Sequence, residues 1–404
     1  MREFTVERLG HQGDGIVEGP LFVAGVLPGE VITGTVEKDR IVNPSIVTPS
    51  SDRVKPPCSH ARSCGGCGLQ HASDDFVANF KKSVVANAFK ARGIDTDIDD
   101  VVTSPVSSRR RAVFSGRRTK KGALVGFHMK GSDTVIAIPK CTVLRPALLE
   151  IIPFLEMLTV AGATRKGAMR FAVTETMSGI DIHAEGGKPA DGALLSELAQ
   201  MSVHPGVARL TWDDEPVAAQ HTPVLEFAGY SVTPPAGAFL QATKEGEDCL
   251  VSSALETVSG AKKVLDLFSG CGTFSLPAAK NAEVHAVEGD KDMVTSLTAA
   301  WRMAHGLKTL TAEARDLFRR PLLPDELNRF DAIIIDPPRA GAEAQVIEIA
   351  KSKVKTIAMV SCNPVSFARD AEVLLKAGFE MRDVKVVDQF RWSSHVEITA
   401  GFHR

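Results

Sequence analysis

Four apolar runs in the last part of the chain each stop on a residue able to do chemistry, and that pattern leaves few folds open. They are Val264-Leu265-Asp266-Leu267, residues 283–287, Ala332-Ile333-Ile334-Ile335 and Ile357-Ala358-Met359-Val360. Such runs are too continuous for strands with one wet face and read as strands covered on both sides, as in a parallel sheet wrapped by helices. Helical stretches such as 243–258 and 366–377 alternate with them, so residues 236–404 are expected to form a Rossmann-like α/β domain. In such a sheet, ligands bind in the crevice outside the carboxyl ends of the strands.

The residues at those strand ends suggest what the crevice holds. The first run leads into Phe268-Ser269-Gly270-Cys271-Gly272-Thr273, whose glycines let backbone approach a nucleotide before a helix begins near 274. The second ends at Glu288, 22 residues after Asp266, where an acid grips ribose hydroxyls in nucleotide-binding sheets. The third ends in Asp336-Pro337-Pro338-Arg339, a rigid turn whose acid faces either cofactor or substrate. Ser275 occupies the place of a third glycine, which disfavours a dinucleotide; S-adenosylmethionine has no pyrophosphate to cradle and fits better. Asp316 is either an adenine contact or a solvated loop acid.

The fourth run delivers Cys362, in Ser361-Cys362-Asn363-Pro364, to the same edge. A thiol there is a candidate nucleophile, and the positive end of the helix over 366–377 would favour thiolate. Taken alone, a strand-end cysteine is more simply a small buried hydrophobe.

The 404 residues, 44% hydrophobic, suffice for two or three domains. No signal-peptide-like stretch or membrane-length apolar run is visible, so a cytosolic protein with no membrane partner is expected, its seven cysteines kept reduced. Three of them, Cys58, Cys64 and Cys67, fall within ten residues around Gly65-Gly66, and Cys141 stands alone in Pro139-Lys140-Cys141. Four sulfurs suit a [4Fe–4S] cluster or a zinc ion, and glycine amides aimed at sulfur favour the cluster. Residues 1–52, rich in glycine and short alternating runs, read as a small five-stranded β-barrel. Prolines 44, 49, 56 and 57 then lead into a central α+β region, 53–235, with strands such as 134–138 and 180–184 and a helix over 148–160.

Net charge is only −2, yet residues 101–145 carry ten Lys or Arg against the single acid Asp133. Arg109-Arg110-Arg111, with Arg117, Arg118, Lys120 and Lys121, would hold nucleic-acid phosphates or else form a solvated basic hairpin. Phe239 is a candidate to stack on a base, with core packing the alternative.

Taken in order, Cys58-x5-Cys64-Gly-Gly-Cys67, Phe239-Leu240-Gln241, Asp266-Leu267-Phe268-Ser269-Gly270-Cys271-Gly272, Asp336-Pro337-Pro338-Arg339, Ser361-Cys362-Asn363-Pro364 and His395-Val396-Glu397-Ile398-Thr399 resemble the RNA uracil-5-methyltransferase family along the whole chain. Gly13-Asp14-Gly15 and Leu27-Pro28-Gly29-Glu30 resemble the TRAM domain, a small RNA-binding barrel. The resemblance implies a class I methyltransferase domain after a central iron–sulfur domain. It implies Cys362 as nucleophile, Glu397 as base, and Cys58, Cys64, Cys67 and Cys141 as ligands of a [4Fe–4S] cluster. It also implies an S-adenosylmethionine site lined by Gln241, Phe268, Thr273, Glu288, Asp316 and Asp336. Ser269 and Thr273 depart from the family's usual bulkier residue and asparagine, which bears on cofactor contacts only.

The implied substrate is RNA, 23S ribosomal RNA ahead of transfer RNA, and a monomer is the expected state. Carbon 5 of uracil is a poor nucleophile until a thiolate adds to carbon 6, and a base must later take the carbon 5 proton so that the thiolate can leave. A cytosine or exocyclic-amine methyltransferase and a non-catalytic RNA-binding redox sensor are the other readings. The amine methylator would not need Cys362, and the sensor would form no covalent adduct with 5-fluorouracil RNA.

Overall fold

The computed structural model describes residues 2–404. Strands Glu3–Leu9, Gly15–Val17, Leu21–Val23, Val31–Glu37 and Arg40–Thr48 close into a five-stranded barrel. Its core is small, built from Phe4, Val6, Val17, Val23, Val26, Ile32 and Ile41. Gly15 is required there, because a Cβ would lie 2.3 Å from Val26 and 3.1 Å from Val6. Buried Glu30 accepts from the Leu27 amide and pairs with Arg53, fastening the barrel to the segment that follows.

A seven-stranded sheet occupies the middle of the chain and includes Arg111–Thr119, Gly122–His128, Val135–Ala137, Ala168–Thr176 and Gly179–Glu185. The helix expected over 148–160 is two helices, Pro146–Glu150 and Ile152–Gly162. Pro153 explains the break: lacking an amide hydrogen, it sits in the first turn of the second helix.

The carboxyl-terminal sheet carries β1 (Lys263–Leu267), β2 (Glu283–Glu288), β3 (Leu310–Ala314), β4 (Ala332–Ile335), β5 (Thr356–Ser361), β6 (Glu380–Asp388) and β7 (Glu397–His403) in the order β3-β2-β1-β4-β5-β7-β6. All run parallel except β7, antiparallel to both neighbours. Alternate residues feed opposite layers: Leu265, Leu267, Ile333 and Ile335 pack on one side, Val264, Ala332 and Ile334 on the other. That two-sided burial is why the central strands β4 and β5 are almost wholly apolar.

Strand Val102–Thr103 extends the far edge beside β6, and helix Asp74–Lys90 packs on helix Pro364–Lys376 with Phe89 and Phe367 rings 5.6 Å apart. Helix Pro364–Lys376 begins earlier than its apolar pattern suggests, since Asn363 caps it by accepting from the Val365 amide and Pro364 fits its first turn. Among the described residues, no helix is long and apolar enough to cross a membrane.

Candidate active site

Cys362 follows the last residue of β5, Asp336 follows β4, and Glu397 opens β7. The reversal of β7 is what brings Glu397 to this edge: an antiparallel strand presents its first residue where its neighbours present their last, and Ser361 pairs with Ile398. The three groups feel one another. Burial, then Glu397 and Asp336, push the Cys362 thiol up to about 11, against the pull of the Arg339 guanidinium. Burial pushes Asp336 to about 7, and burial with Asp336 holds Glu397 well above the usual carboxylate range. Burial and the two carboxylates thus disfavour thiolate at Cys362 in the free protein, opposite in sense to the helix amino terminus beside it. The pocket instead stores protons, and the carboxylates are strong bases once ionised.

The glycine loop after β1 has the shape of a nucleotide seat. Phe268 and Gly270 take positive φ, 62° and 54°, and the Gly270 amide donates to Glu288 Oε2 at 2.9 Å. Glu288 Oε1 accepts from the Asp290 amide, so its position is fixed from both sides. Gly272, at φ 98°, admits no side chain: a Cβ would lie 2.4 Å from Leu297. Thr273 follows, half-buried. Asp266, fully buried and pushed to about 7 by burial, accepts from the Ser275 hydroxyl. Its other oxygen and the Ser269 hydroxyl are buried without partners, polar groups that a bound ligand would satisfy. Asp316 accepts from the amides of Phe318 and Arg319, and its loop sets the half-exposed Phe318 ring 5.5 Å from Phe268. Phe318 was not legible in the sequence, since only this loop turns it back toward Phe268.

Gln241 joins the two halves of the crevice. Its side chain donates to Asp336 at 3.3 Å and accepts from Gln389 at 2.7 Å, while Gln389 accepts from the Thr243 amide. Gln389 was likewise invisible to motif reading.

Cys58, Cys64, Cys67 and Cys141 line one small cavity, with Arg109 beside them, and none is in a disulfide. Burial and the neighbouring Cys141, Cys64 and Cys58 push Cys67 up to about 11. Amides of His60 and Gly66 donate to the sulfurs of Cys58 and Cys64, each at 3.4 Å. Among the described residues, no three His, Cys, Asp or Glu groups are gathered as they would be about a single ion.

Two adjoining hollows, of about 230 and 570 Å³, share Arg109 and the Gly65-Gly66 turn. Of the basic residues read as phosphate contacts, Arg117, Arg118, Lys120 and Lys121 are exposed on the hairpin of strands Arg111–Thr119 and Gly122–His128. Arg110 is not available: it is buried against Glu247 and the Gln241 carbonyl. Phe239 is 60% exposed with the Arg111 guanidinium 5.7 Å from its ring, so core packing is excluded.

Residues 230–403 match the family model described as tRNA (uracil-5-)-methyltransferase. The chain is 42% identical to an uncharacterized RNA methyltransferase of Rhizobium meliloti across 99% of both proteins. It is 31% identical to the 23S rRNA (uracil(1939)-C(5))-methyltransferase RlmD of Vibrio parahaemolyticus, over 99% of this chain and 95% of that one. The chain belongs to the RNA (uracil-5-)-methyltransferase family. Members of this uracil-5-methyltransferase family depend on S-adenosylmethionine, in keeping with the seat after β1. Its fold agrees over 99% of both chains, TM-score 0.76 at 21% identity, with the Pyrococcus abyssi tRNA (uracil-54, C5)-methyltransferase solved with S-adenosyl-L-homocysteine.

Proposed function

We propose that the protein methylates carbon 5 of a specific uridine in RNA, 23S ribosomal RNA ahead of transfer RNA, through a covalent adduct between Cys362 and carbon 6. The observation that carries this reading is the convergence of Cys362, Glu397 and Asp336 at the ends of adjacent strands beside the glycine seat. Cys362 adds to carbon 6, leaving an enolate whose carbon 5 takes the methyl group. S-adenosylmethionine, when bound, supplies that methyl as an electrophile. Glu397 removes the carbon 5 proton, the double bond re-forms and the thiolate leaves. Asp336, fixed by Gln241, is suited to accept from the uracil imide or to face the cofactor.

Glu288 would hold the ribose hydroxyls, Phe268 and Asp316 the adenine side, and Gln241 and Thr273 the remainder of the cofactor. Cys58, Cys64, Cys67 and Cys141 would hold a [4Fe–4S] cluster, whose delocalised charge suits sulfurs that receive backbone amides. The group acts as a clip that shapes the RNA-binding face, with the TRAM-like barrel, residues 1–52, and the 53–235 region around the 236–404 methyltransferase domain. RNA would thread past Phe239 and the exposed basic hairpin, and the enzyme would act as a cytosolic monomer. The relative named for 23S rRNA, similar over the whole chain, supports ribosomal RNA as substrate.

The deciding experiment incubates the protein and labelled S-adenosylmethionine with ribosomal and transfer RNA from a strain lacking it, and with 5-fluorouridine versions of each. Label in ribosomal RNA and a denaturation-stable complex that Cys362→Ala abolishes are expected. Methylation by Cys362→Ala at the wild-type rate would overturn the mechanism, and label confined to transfer RNA would overturn the substrate.

A further inference from the structure

Between the end of β6 and Glu397 the chain crosses residues 389–396, and this strap is held far more firmly than a connection needs to be. At its start Asp388 forms a fully buried pair with Lys81, whose ammonium also donates to the Phe390 carbonyl at 3.1 Å. In its middle Trp392, 5% exposed, sits among Leu27 of the barrel, Leu69 beside the cysteine turn, and Val77 and Phe80 of helix Asp74–Lys90. The Trp392 carbonyl accepts from the Leu69 amide at 2.9 Å, and its indole donates to Asp74 at 3.1 Å. Arg391 stacks over that indole, 4.9 Å from the ring, pairs with Asp74 and donates to the Ser104 carbonyl. Trp392 keeps φ at 60°, a backbone state that side-chain-bearing residues adopt only when their surroundings impose it.

We propose that Trp392 is a positioning residue: it pins the strap to the cysteine-bearing loop, so that Glu397 stands at the crevice only while the segment holding Cys58, Cys64 and Cys67 is in place. The inference rests on the covalent mechanism proposed above and assigns the cysteine site a role in its last step. In that step Glu397 takes the carbon 5 proton, the C–H electron pair re-forms the carbon 5–carbon 6 double bond, and the bond to Cys362 sulfur breaks with thiolate leaving. Formation of the adduct and methyl transfer need Cys362 and the donor but not Glu397. A loosened strap therefore slows release and spares what precedes it.

The test is single-turnover reaction with ordinary uridine RNA, following methyl transfer and the denaturation-stable methylated adduct separately. In Trp392→Ala, methyl transfer stays within about threefold of wild type while release slows roughly 100-fold, the scale set by a displacement of about 1 Å at a reacting group, and adduct accumulates. Trp392→Phe, which keeps much of the packing, recovers most of the release rate. Asp74→Ala removes the helix-side anchors without touching the core and slows release by roughly tenfold. Cys67→Ser should raise hydrogen exchange at the Leu69 amide and slow release in the same sense. Equal loss of methyl transfer and release in Asp74→Ala and Trp392→Phe, or unchanged release in both, would overturn the inference. Absence of any adduct between the wild type and 5-fluorouridine RNA would instead overturn the proposed mechanism.

Discussion

Two thiol environments in this molecule reach the same acidity by different routes. Cys362 and Cys67 are both pushed up to about 11 and both half or more withdrawn from water, but Cys362 is opposed by carboxylates and Cys67 by other sulfurs. Arg339 counteracts the first, and Arg109 stands beside the second. What differs is the relief each site calls for. On the mechanism proposed above, a lone thiolate beside two carboxylates is relieved by sharing its electrons with an electrophilic carbon for a moment. Four thiols lining one small cavity would be relieved by resident positive charge.

The sharpest way to break this comparison is to exchange the fates of the two sites. Cys362→Ala is expected to lower methylation by at least about 10⁴-fold while leaving the protein folded, because it removes the covalent route itself. Cys67→Ser is expected to spare adduct formation and methyl transfer at saturating RNA, slowing only release, and to weaken RNA binding, read by filter binding. Intact RNA affinity in Cys67→Ser would end the idea of the cysteine site as a clip. Next in size, Glu397→Gln should lower turnover roughly 10² to 10⁴-fold, with methylated adduct accumulating on ordinary RNA.

Acidity sharpens the contrast further. With the Cys362 thiol near 11, thiolate is a minority at neutral pH, so adduct formation with 5-fluorouridine RNA should rise about tenfold per pH unit from 7 to 10. In the metal-free protein the same weakened acidity at Cys67 acts on stability. Its proton is held more tightly folded than unfolded, so stability is complete below the ordinary thiol value of 9.0 and falls as pH climbs toward about 11. Chemical denaturation at pH 8 and pH 10 measures this, and a Cys67 variant should lose the difference.

The smallest effects concern the basic run. Arg117→Ala and Arg118→Ala should each reduce the salt dependence of RNA binding by about one counterion. Arg110→Ala should instead cost about 3 kcal/mol of stability, since it leaves buried Glu247 with only the Lys244 ammonium 3.5 Å away, and leave the salt slope unchanged.

What could be read in advance was whatever local pattern determines. The strands β1, β2, β4 and β5 announce themselves because both faces are buried, and Cys362 follows from the end of one such run. Glu397 could be named only through resemblance, because its nearness to Cys362 depends on the direction of β7 and no local pattern encodes strand direction. Arg110 and Arg117 look alike in sequence, and only the fold buries one and exposes the other. Helix Asp74–Lys90 buries Val85 and Phe89 against helix Pro364–Lys376 and Val77 and Phe80 against Trp392, long-range meetings that no local pattern encodes. Phe239 could be either core or surface from its context, and the structure leaves it 60% exposed.

Along β7, Val396, Ile398, Ala400 and Phe402 all face one hydrocarbon layer, so Glu397 owes its outlook on the crevice to parity alone. A slip of one residue against β5 would carry the acid into that layer and set valine or isoleucine opposite the thiol. The proposed pairing of Cys362 with Glu397 is thus written into the ladder of hydrogen bonds between two strands, and on that mechanism any change that frees β7 to slide would silence the enzyme without altering a reacting atom.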